Sequence, residues 1–332
     1  MEKVLSLIIP TYNMENYLNK CLDSLIVENM KLIEVLIIND GSKDRSSEIA
    51  HEYANKYPDT YRVIDKQNGN YGSCINRGLK DAKGKYIKVL DADDYFDKTV
   101  LEQYINFLNN NDCDLILNNC NKVNQNGEIV GEFFISKMSC KTSFKKFARK
   151  RIFPQMHCIA YNRNKICKLS YQQTEGISYT DQEWVTIPMQ NVESVINSNL
   201  TLYNYLIGRE GQTINKEVWS KSFGDQKKVV LSIIKCVNEY NGDLIHKSYL
   251  MDKAIDFLSF LYMEHIINSI YNEDDFRKFD GIITNNYPQI YDCFDMVTKT
   301  IINKWRLNKS NSIYAHLCIW IKKNLNFISK IL

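Results

Sequence analysis

The sequence predicts a doubly wound α/β architecture with a mostly parallel sheet flanked by helices, followed by a helical C-terminal region. Three observations carry this. Short apolar runs recur through the first 120 residues, helix-spaced apolar residues separate them, and polar residues stand at the ends of the runs.

The first run, Val4 to Ile9, is apolar at every position but Ser6 rather than alternating, as in strands buried on both faces. Tyr17, Cys21, Leu22 and Leu25 then share one helical face. Ile33 to Ile38 is the second strand, and Ile49, Tyr53 and, more loosely, Tyr57 mark the next helix. Tyr61 to Ile64 and Tyr86 to Leu90 continue the strands; Leu101, Tyr104, Ile105 and Leu108 repeat the helical spacing; Leu115 to Leu117 is a further strand. Strand alternating with helix implies a sheet wound on both faces. From Lys216 onward the spacing is helical, with Val229, Val230, Ile233 and Ile234 on one face and Ile255, Leu258, Leu261 and Tyr262 on another. Asn285-Asn286-Tyr287-Pro288 interrupts it.

Composition narrows the function. A chain of 332 residues, 44% hydrophobic with 5 prolines, buries a large core. A net charge of +3 is too small to suggest nucleic acid as a partner. Ten cysteines without a C-x-x-C pair suggest reduced thiols, and the start runs into a strand without a signal peptide, so the expectation is a cytoplasmic protein. No window reaches the roughly 18 apolar residues of a spanning helix. After Asp295 the chain has no acid, and Lys299, Lys304, Arg306, Lys309, Lys322, Lys323 and Lys330 interleave with Ile301, Trp305, Trp320 and Phe327. That pattern suits either the inner face of an anionic membrane or a helix docked on the protein with a solvated face.

In open α/β sheets, ligands bind beyond the carboxyl ends of the strands. Thr11, Tyr12, Asn13, Asp40, Gly41, Ser42, Asp91 and Asp93 fall there. Neither G-x-G-x-x-G after the first strand nor G-x-x-x-x-G-K-[ST] occurs, so the common nucleotide fingerprints are absent. Asp91-Ala92-Asp93 supplies carboxylates of the kind that hold Mg²⁺ or Mn²⁺ against phosphates, and continued extension would put Asp91 and Asp93 on one side. The alternative is that Asp93, Asp94 and Asp97 start the next helix.

SLIIPTYN, IINDGSKDRS, NGNYGSCINRGL and VLDADDYF, taken in this order, resemble the nucleotide-sugar-binding half of family 2 glycosyltransferases, which have the GT-A fold. The resemblance is close over residues 4–120 and looser over 140–210. It implies a GT-A domain over 1–212, with a donor half 1–120 and an acceptor half 121–212, and a helical region over 213–332. It also implies inverting, metal-dependent transfer of a sugar from a nucleoside diphosphate sugar, UDP foremost, to a glycan or lipid-linked acceptor in bacterial surface polysaccharide synthesis.

The same resemblance assigns residues. Pro10, Thr11 and Tyr12 flank the nucleoside, Asp40 reads the uracil ring, and the loop Asn68-Gly69-Asn70-Tyr71-Gly72 approaches the ligand through its backbone. Asp91 and Ala92 lie against the nucleotide, and Asp91 and Asp93 hold the ion, Mn²⁺ or Mg²⁺. Asp40 and Ser42 alternatively cap the following helix, Ser42 being the stronger cap. Inverting displacement needs one base to deprotonate the acceptor; Asp181 in Ser178-Tyr179-Thr180-Asp181-Gln182-Glu183-Trp184 matches the acidic position, with Glu183 in reserve. Arg209, in a segment resembling R-x-G-Q-[ST], reaches the diphosphate or forms a surface salt bridge. His157 is a third metal ligand or a packed imidazole. The competing functions are a sugar nucleotidyltransferase and a non-catalytic sugar-nucleotide-binding subunit.

Overall fold

The computed structural model describes residues 2–135, 138, 140–169, 171–209, 212 and 216–307. Contacts divide the chain into two compact units. One holds the described residues up to 212 together with Tyr240–His246; the other holds 216–239 and 247–307.

In the first unit the strands are β1 (Leu5–Thr11), β2 (Ile33–Asn39), β3 (Tyr61–Asp65), β4 (Tyr86–Val89), β5 (Tyr95–Phe96), β6 (Leu115–Val123), β7 (Ile129–Phe133), β8 (Thr142–Ser143), β9 (Ile159–Asn162) and β10 (Ser194–Leu206). They form one mixed sheet in the order β3-β2-β1-β4-β9-β6-β10-β5, with β7 added to β6 and β8 to β10. The quartet β3-β2-β1-β4 is wholly parallel, with Ile8 opposite both Leu36 and Val89. Beyond it β6 and β10 run parallel, while β5, β7, β8 and β9 pair antiparallel. Every residue of β2 is buried, including Glu34, whose carboxylate accepts from Ser6 Oγ at 2.5 Å and Gly84 N at 3.0 Å.

Strands β1 to β3 succeed one another outward, and β4 then returns to the other side of β1. That reversal is a topological switch point, where the carboxyl ends of β1 and β4 open a crevice. The helices of this unit are α1 (Leu18–Asp23), α2 (Ser46–Lys56), α3 (Asn70–Asp81), α4 (Lys98–Asn110), α5 (Phe144–Arg149), α6 (Arg163–Cys167) and α7 (Asp181–Trp184). Asp97 caps α4 by accepting from Val100 N at 3.0 Å, as the capping alternative holds for that residue.

Helix α3 replaces the expected loop through Tyr71 and Gly72. Its glycines serve packing. A Cβ on Gly78 would come within 2.5 Å of Ile8, and one on Gly72 within 2.2 Å of Thr174 O. The glycines thus let α3 lie close on β1 and on the 173–174 segment. Ser42 does not cap α2: its Oγ accepts from Asn13 N at 3.2 Å, while Asp44 Oδ1 accepts from Ser46 N at 3.0 Å.

The second unit consists of α8 (Lys216–Lys221), α9 (Phe223–Glu239), α10 (Leu244–Asn268, from Lys247), α11 (Glu273–Asn286), α12 (Pro288–Asp292) and α13 (Met296–Arg306). Ile301, Ile302 and Trp305 of α13 are buried. The indole meets Tyr262, His265 and Phe276 at centroid distances of 6.4, 5.6 and 5.6 Å, under the Arg277 guanidinium at 4.7 Å. Arg306 grips Asp280 through two bonds of 2.9 and 2.6 Å. For Ile301 and Trp305 the docked alternative therefore holds, and neither is available to a membrane. Lys309, Trp320, Lys322, Lys323, Phe327 and Lys330 lie outside the described residues. No helix among the described residues is long and apolar enough to cross a membrane.

Candidate active site

The first turn of α3 joins two groups of polar residues. At its start Gly69 N donates to Asp40 Oδ1 at 3.0 Å. Two residues on, Tyr71 Oη donates to Asp91 Oδ1 at 2.7 Å. The loops after β2 and β4 are thus held by one short piece of helix.

In the first group Asp40 is buried, and its Oδ1 also takes Lys66 Nζ at 2.5 Å. Lys66 donates onward to Ser73 Oγ at 2.8 Å. Asn68 Nδ2 donates to Asp40 O at 3.0 Å, closing the loop on the strand end. Gly41 has a φ of 74°, in the left-handed region that glycine enters freely, which turns the chain directly after Asp40. Pro10 is half-buried and Tyr12 is 44% exposed at the mouth. Thr11 faces inward, its hydroxyl spent on Ile9 O at 3.1 Å.

The second group is built on a turn. Extended geometry stops at Val89, and Asp94 N bonds back to Asp91 O at 3.0 Å, so Asp91 and Asp93 are not presented by strand alternation. Ala92 is buried in this turn. Asp94 is 1% exposed and accepts from Tyr203 Oη at 2.7 Å and Leu206 N at 2.8 Å. Both its oxygens are committed to β10, so Asp94 is a structural carboxylate. Asp93 turns the other way and pairs with the Arg209 guanidinium.

The crowding of carboxyls shows in their protonation. Burial pushes the Asp91 carboxyl up to about 7; Asp93 adds to this and so does Asp181, while the Tyr71 hydroxyl and Arg209 oppose it. Burial, then Asp93 and Asp91, push Asp94 well above the usual carboxylate range. The charge of Asp181 also reaches the Tyr71 hydroxyl. Asp181 opens α7, its charge helps to raise the Asp91 carboxyl, and Gln182 Nε2 donates to its Oδ2 at 2.9 Å. Glu183 is a different matter. It is fully buried and accepts from both Thr174 N and Thr174 Oγ1 at 2.7 Å, so the reserve candidate for the base is a fastening of the 173–174 segment.

His157 Nε2 stands 3.9 Å from Asp91 Oδ2, between the rings of Tyr203 and Tyr205 at 4.8 and 4.3 Å. Burial, aided by the Lys88 charge, lowers its pKa to about 3, so the imidazole is neutral, and its Nδ1 has no hydrogen-bond partner. Lys88, fully buried in β4, was unmarked by any motif. It donates to Asn118 Oδ1 at 2.8 Å, His157 O at 2.7 Å and Ile159 O at 3.2 Å, and so fixes the backbone carrying His157. A lone lysine inside an apolar run was the available signal.

Donor oxygens of Asp91 and Asp94 and a ring nitrogen of His157 lie within 4.8 Å of one another. Asp94 is tied to β10, and burial, helped by the charge of Asp93, raises Asp91; Asp91 and His157, with Asp93 adjoining, fit a hard divalent cation, which prefers carboxylate oxygen.

The fold is of GT-A architecture, shared with the solved structures named below. Residues 6–170 match the family described as Glycosyl transferase family 2. The chain is 38% identical over 116 residues to the uncharacterised glycosyltransferase EpsJ of Bacillus subtilis (strain 168), covering 35% of this chain and 33% of that protein. It is 39% identical over 115 residues to the minor teichoic acid biosynthesis protein GgaB of the same organism, covering 33% and 13%. The matched stretches thus span a third or less of these relatives. Among solved structures, S. aureus TarS 1–349 in complex with UDP-GlcNAc superposes with a TM-score of 0.67 at 16% identity, covering 97% of this chain and 92% of that one. The mannosyltransferase PcManGT of Pyrobaculum calidifontis, in complex with GDP-Man and Mn²⁺, gives 0.54 at 12%, covering 96% and 86%.

Proposed function

We propose that this chain transfers a sugar, with inversion, from a nucleoside diphosphate sugar to a glycan or lipid-linked acceptor in bacterial surface polysaccharide synthesis. The observation that carries the reading is the first turn of α3, which ties the Asp40 loop and the Asp91 turn to one crevice at the β1/β4 switch point. The names of relatives and neighbours, in teichoic acid and sugar-nucleotide binding, support the same class. UDP is the donor we favour, with Asp40 at the base, Tyr12 packing on it, and Pro10, Thr11, Asn68, Gly69 and Ala92 shaping the walls. The donor half is 1–120 and the acceptor half 121–212.

Asp91 and Asp93 would hold the divalent ion, Mn²⁺ or Mg²⁺, which neutralises the departing diphosphate; His157 flanks Asp91. Arg209 offers a fork of donors to the same diphosphate. Asp181 takes the proton from the acceptor hydroxyl opposite the leaving group, a role that requires one base. Buried rings around His157 keep water from that side. We place the protein in the cytoplasm, with the region after residue 307 as the segment that meets an anionic inner membrane surface.

Calorimetric titration with UDP-, GDP- and dTDP-sugars, followed by an assay for donor hydrolysis, tests the reading. Sugar release from one donor class supports it. Pyrophosphate release from a nucleoside triphosphate would make the chain a nucleotidyltransferase, and binding without turnover a partner subunit.

A further inference from the structure

Asp93 and Arg209 are 116 positions apart, and their side chains are only 9% and 16% exposed. The guanidinium Nε lies directly on Asp93 Oδ2, in the closest ion pair of the site. A divalent cation at Asp93 would be left the other oxygen, Oδ1, and would stand beside the positive charge of the guanidinium.

The segment that carries Arg209 is held on both sides. Leu206 N donates to Asp94 Oδ1 at 2.8 Å, Gly208 N donates to Gln212 Oε1 at 2.9 Å, and Gln212 Nε2 donates to Leu206 O at 2.5 Å. The glutamine of the R-x-G-Q segment is thus a clamp on its own backbone. With the backbone held at Leu206 and Gly208, release of Asp93 would call for rotation of the Arg209 side chain rather than withdrawal of the loop. The Tyr17 ring, 5.9 Å from the guanidinium, lies beside that path.

We propose that Arg209 competes with the divalent cation for Asp93, and that the donor diphosphate resolves the competition by drawing the guanidinium away. This rests on the metal-dependent donor reading above. Guanidinium matches a diphosphate as a planar fork of donors, and the released carboxylate becomes a metal ligand. The coupling is reciprocal: whatever the diphosphate adds to cation affinity, the cation adds to diphosphate affinity. A cation alone must first displace a resident positive charge. Donor and metal therefore bind as a pair.

The test is Mn²⁺ affinity read by electron paramagnetic resonance of the free ion, without nucleotide and with UDP. Arg209→Met keeps the length and removes the charge. It should bind Mn²⁺ without nucleotide about tenfold or more tighter than wild type, a modest share of the repulsion a nearby unit charge exerts at a partly buried site. The enhancement of Mn²⁺ binding by UDP should shrink in the same variant. Arg209→Lys, which restores a charge without the fork, should fall between the two; Arg209→Gln replaces the methionine variant if thermal melting shows that it does not fold. Equal or weaker Mn²⁺ binding by the neutral variant, with wild type binding Mn²⁺ in the presence of UDP, overturns the competition and leaves the donor reading standing. Wild-type protein that binds no Mn²⁺ even with UDP overturns both.

Discussion

The hydroxyl of Tyr203 donates to Asp94 Oδ2 at 2.7 Å and at the same time accepts from Asp91 N at 3.1 Å. One phenol on β10 thereby sets the turn that carries the acidic residues. Tyr203→Phe should keep the ring packing against Phe96 and His157 but leave buried polar atoms unpaired, at a cost of about 1–3 kcal/mol. We expect a lower melting temperature and weaker Mn²⁺-dependent UDP binding. Unchanged UDP affinity would show that the turn keeps its shape without the phenol.

Asp93→Ala should abolish nearly all transfer and weaken Mn²⁺-dependent UDP binding while the fold survives, because the residue lies in the turn beyond the end of β4 and Asp94 anchors that turn. Activity assays and circular dichroism check the two halves of this expectation. Full wild-type activity in excess EDTA would refute the metal requirement.

Asp181→Asn should lower turnover by about 10² to 10⁴ with donor affinity nearly unchanged, the range general base catalysis supplies. Glu183→Gln should act on stability instead. An amide in place of the carboxylate cannot accept well from both Thr174 donors, which costs about 1–3 kcal/mol and appears in the melting curve. If the glutamine variant melts normally and loses turnover, the base lies at 183.

Burial lowers the Lys88 pKa to about 8 from its ordinary 10.5. The folded state then holds fewer protons than the unfolded state between these values, so this group's contribution to stability rises with pH across that window. Below pH 8 its charge is buried at full cost. Denaturant titrations of wild type and Lys88→Met between pH 7 and 10 should show wild type gaining on the variant by up to about 3 kcal/mol. A constant difference would mean that Lys88 titrates normally.

Removing residues 297–332 would strip Ile301, Ile302 and Trp305 from the core of the second unit, and losing a buried Trp alone costs about 3–5 kcal/mol. The informative truncation ends at residue 307. It should stay folded, retain donor hydrolysis and lose salt-sensitive co-sedimentation with anionic vesicles, since each basic residue near such a surface adds roughly 1 kcal/mol. Equal sedimentation of both forms with anionic and neutral vesicles would exclude a membrane role for the segment.

Four of the five mostly apolar runs correspond to strands within one or two residues of their ends, because strands in the interior of a sheet are covered on both faces. The exception is β6, which extends to Val123 through Asn118, Asn119 and Asn121, and polar residues of that kind hid both it and β10 (SVINSNLTLYNYL). These asparagines are paired inside the structure: Asn118 Oδ1 accepts from Lys88, and Asn121 Nδ2 donates to Asn204 Oδ1. Helix α3 was hidden by Gly72 and Gly78, which read as a loop until the atoms they would strike are known. At the site, acidic residues at strand ends were legible from sequence. Their division of labour was not, because Asp94 and Asp93 are told apart only by Tyr203, Leu206 and Arg209, more than a hundred residues away.

Strand β10 begins on β8, runs along β6, and reaches β5 just before the segment bearing Arg209. Its ladder to β6 slips between Asn197 and Tyr203. The slip acts as a phase adjustment on a ruler. Downstream of it, adding or deleting a single residue would swap the two faces of the strand, sending the Tyr203 hydroxyl away from the acidic turn and Arg209 out of reach of Asp93. The hairpin tip at 124–128, by contrast, is exposed and holds itself together through Asn124. Insertions are therefore tolerated at that tip, whereas the length of β10 is fixed by the register it keeps.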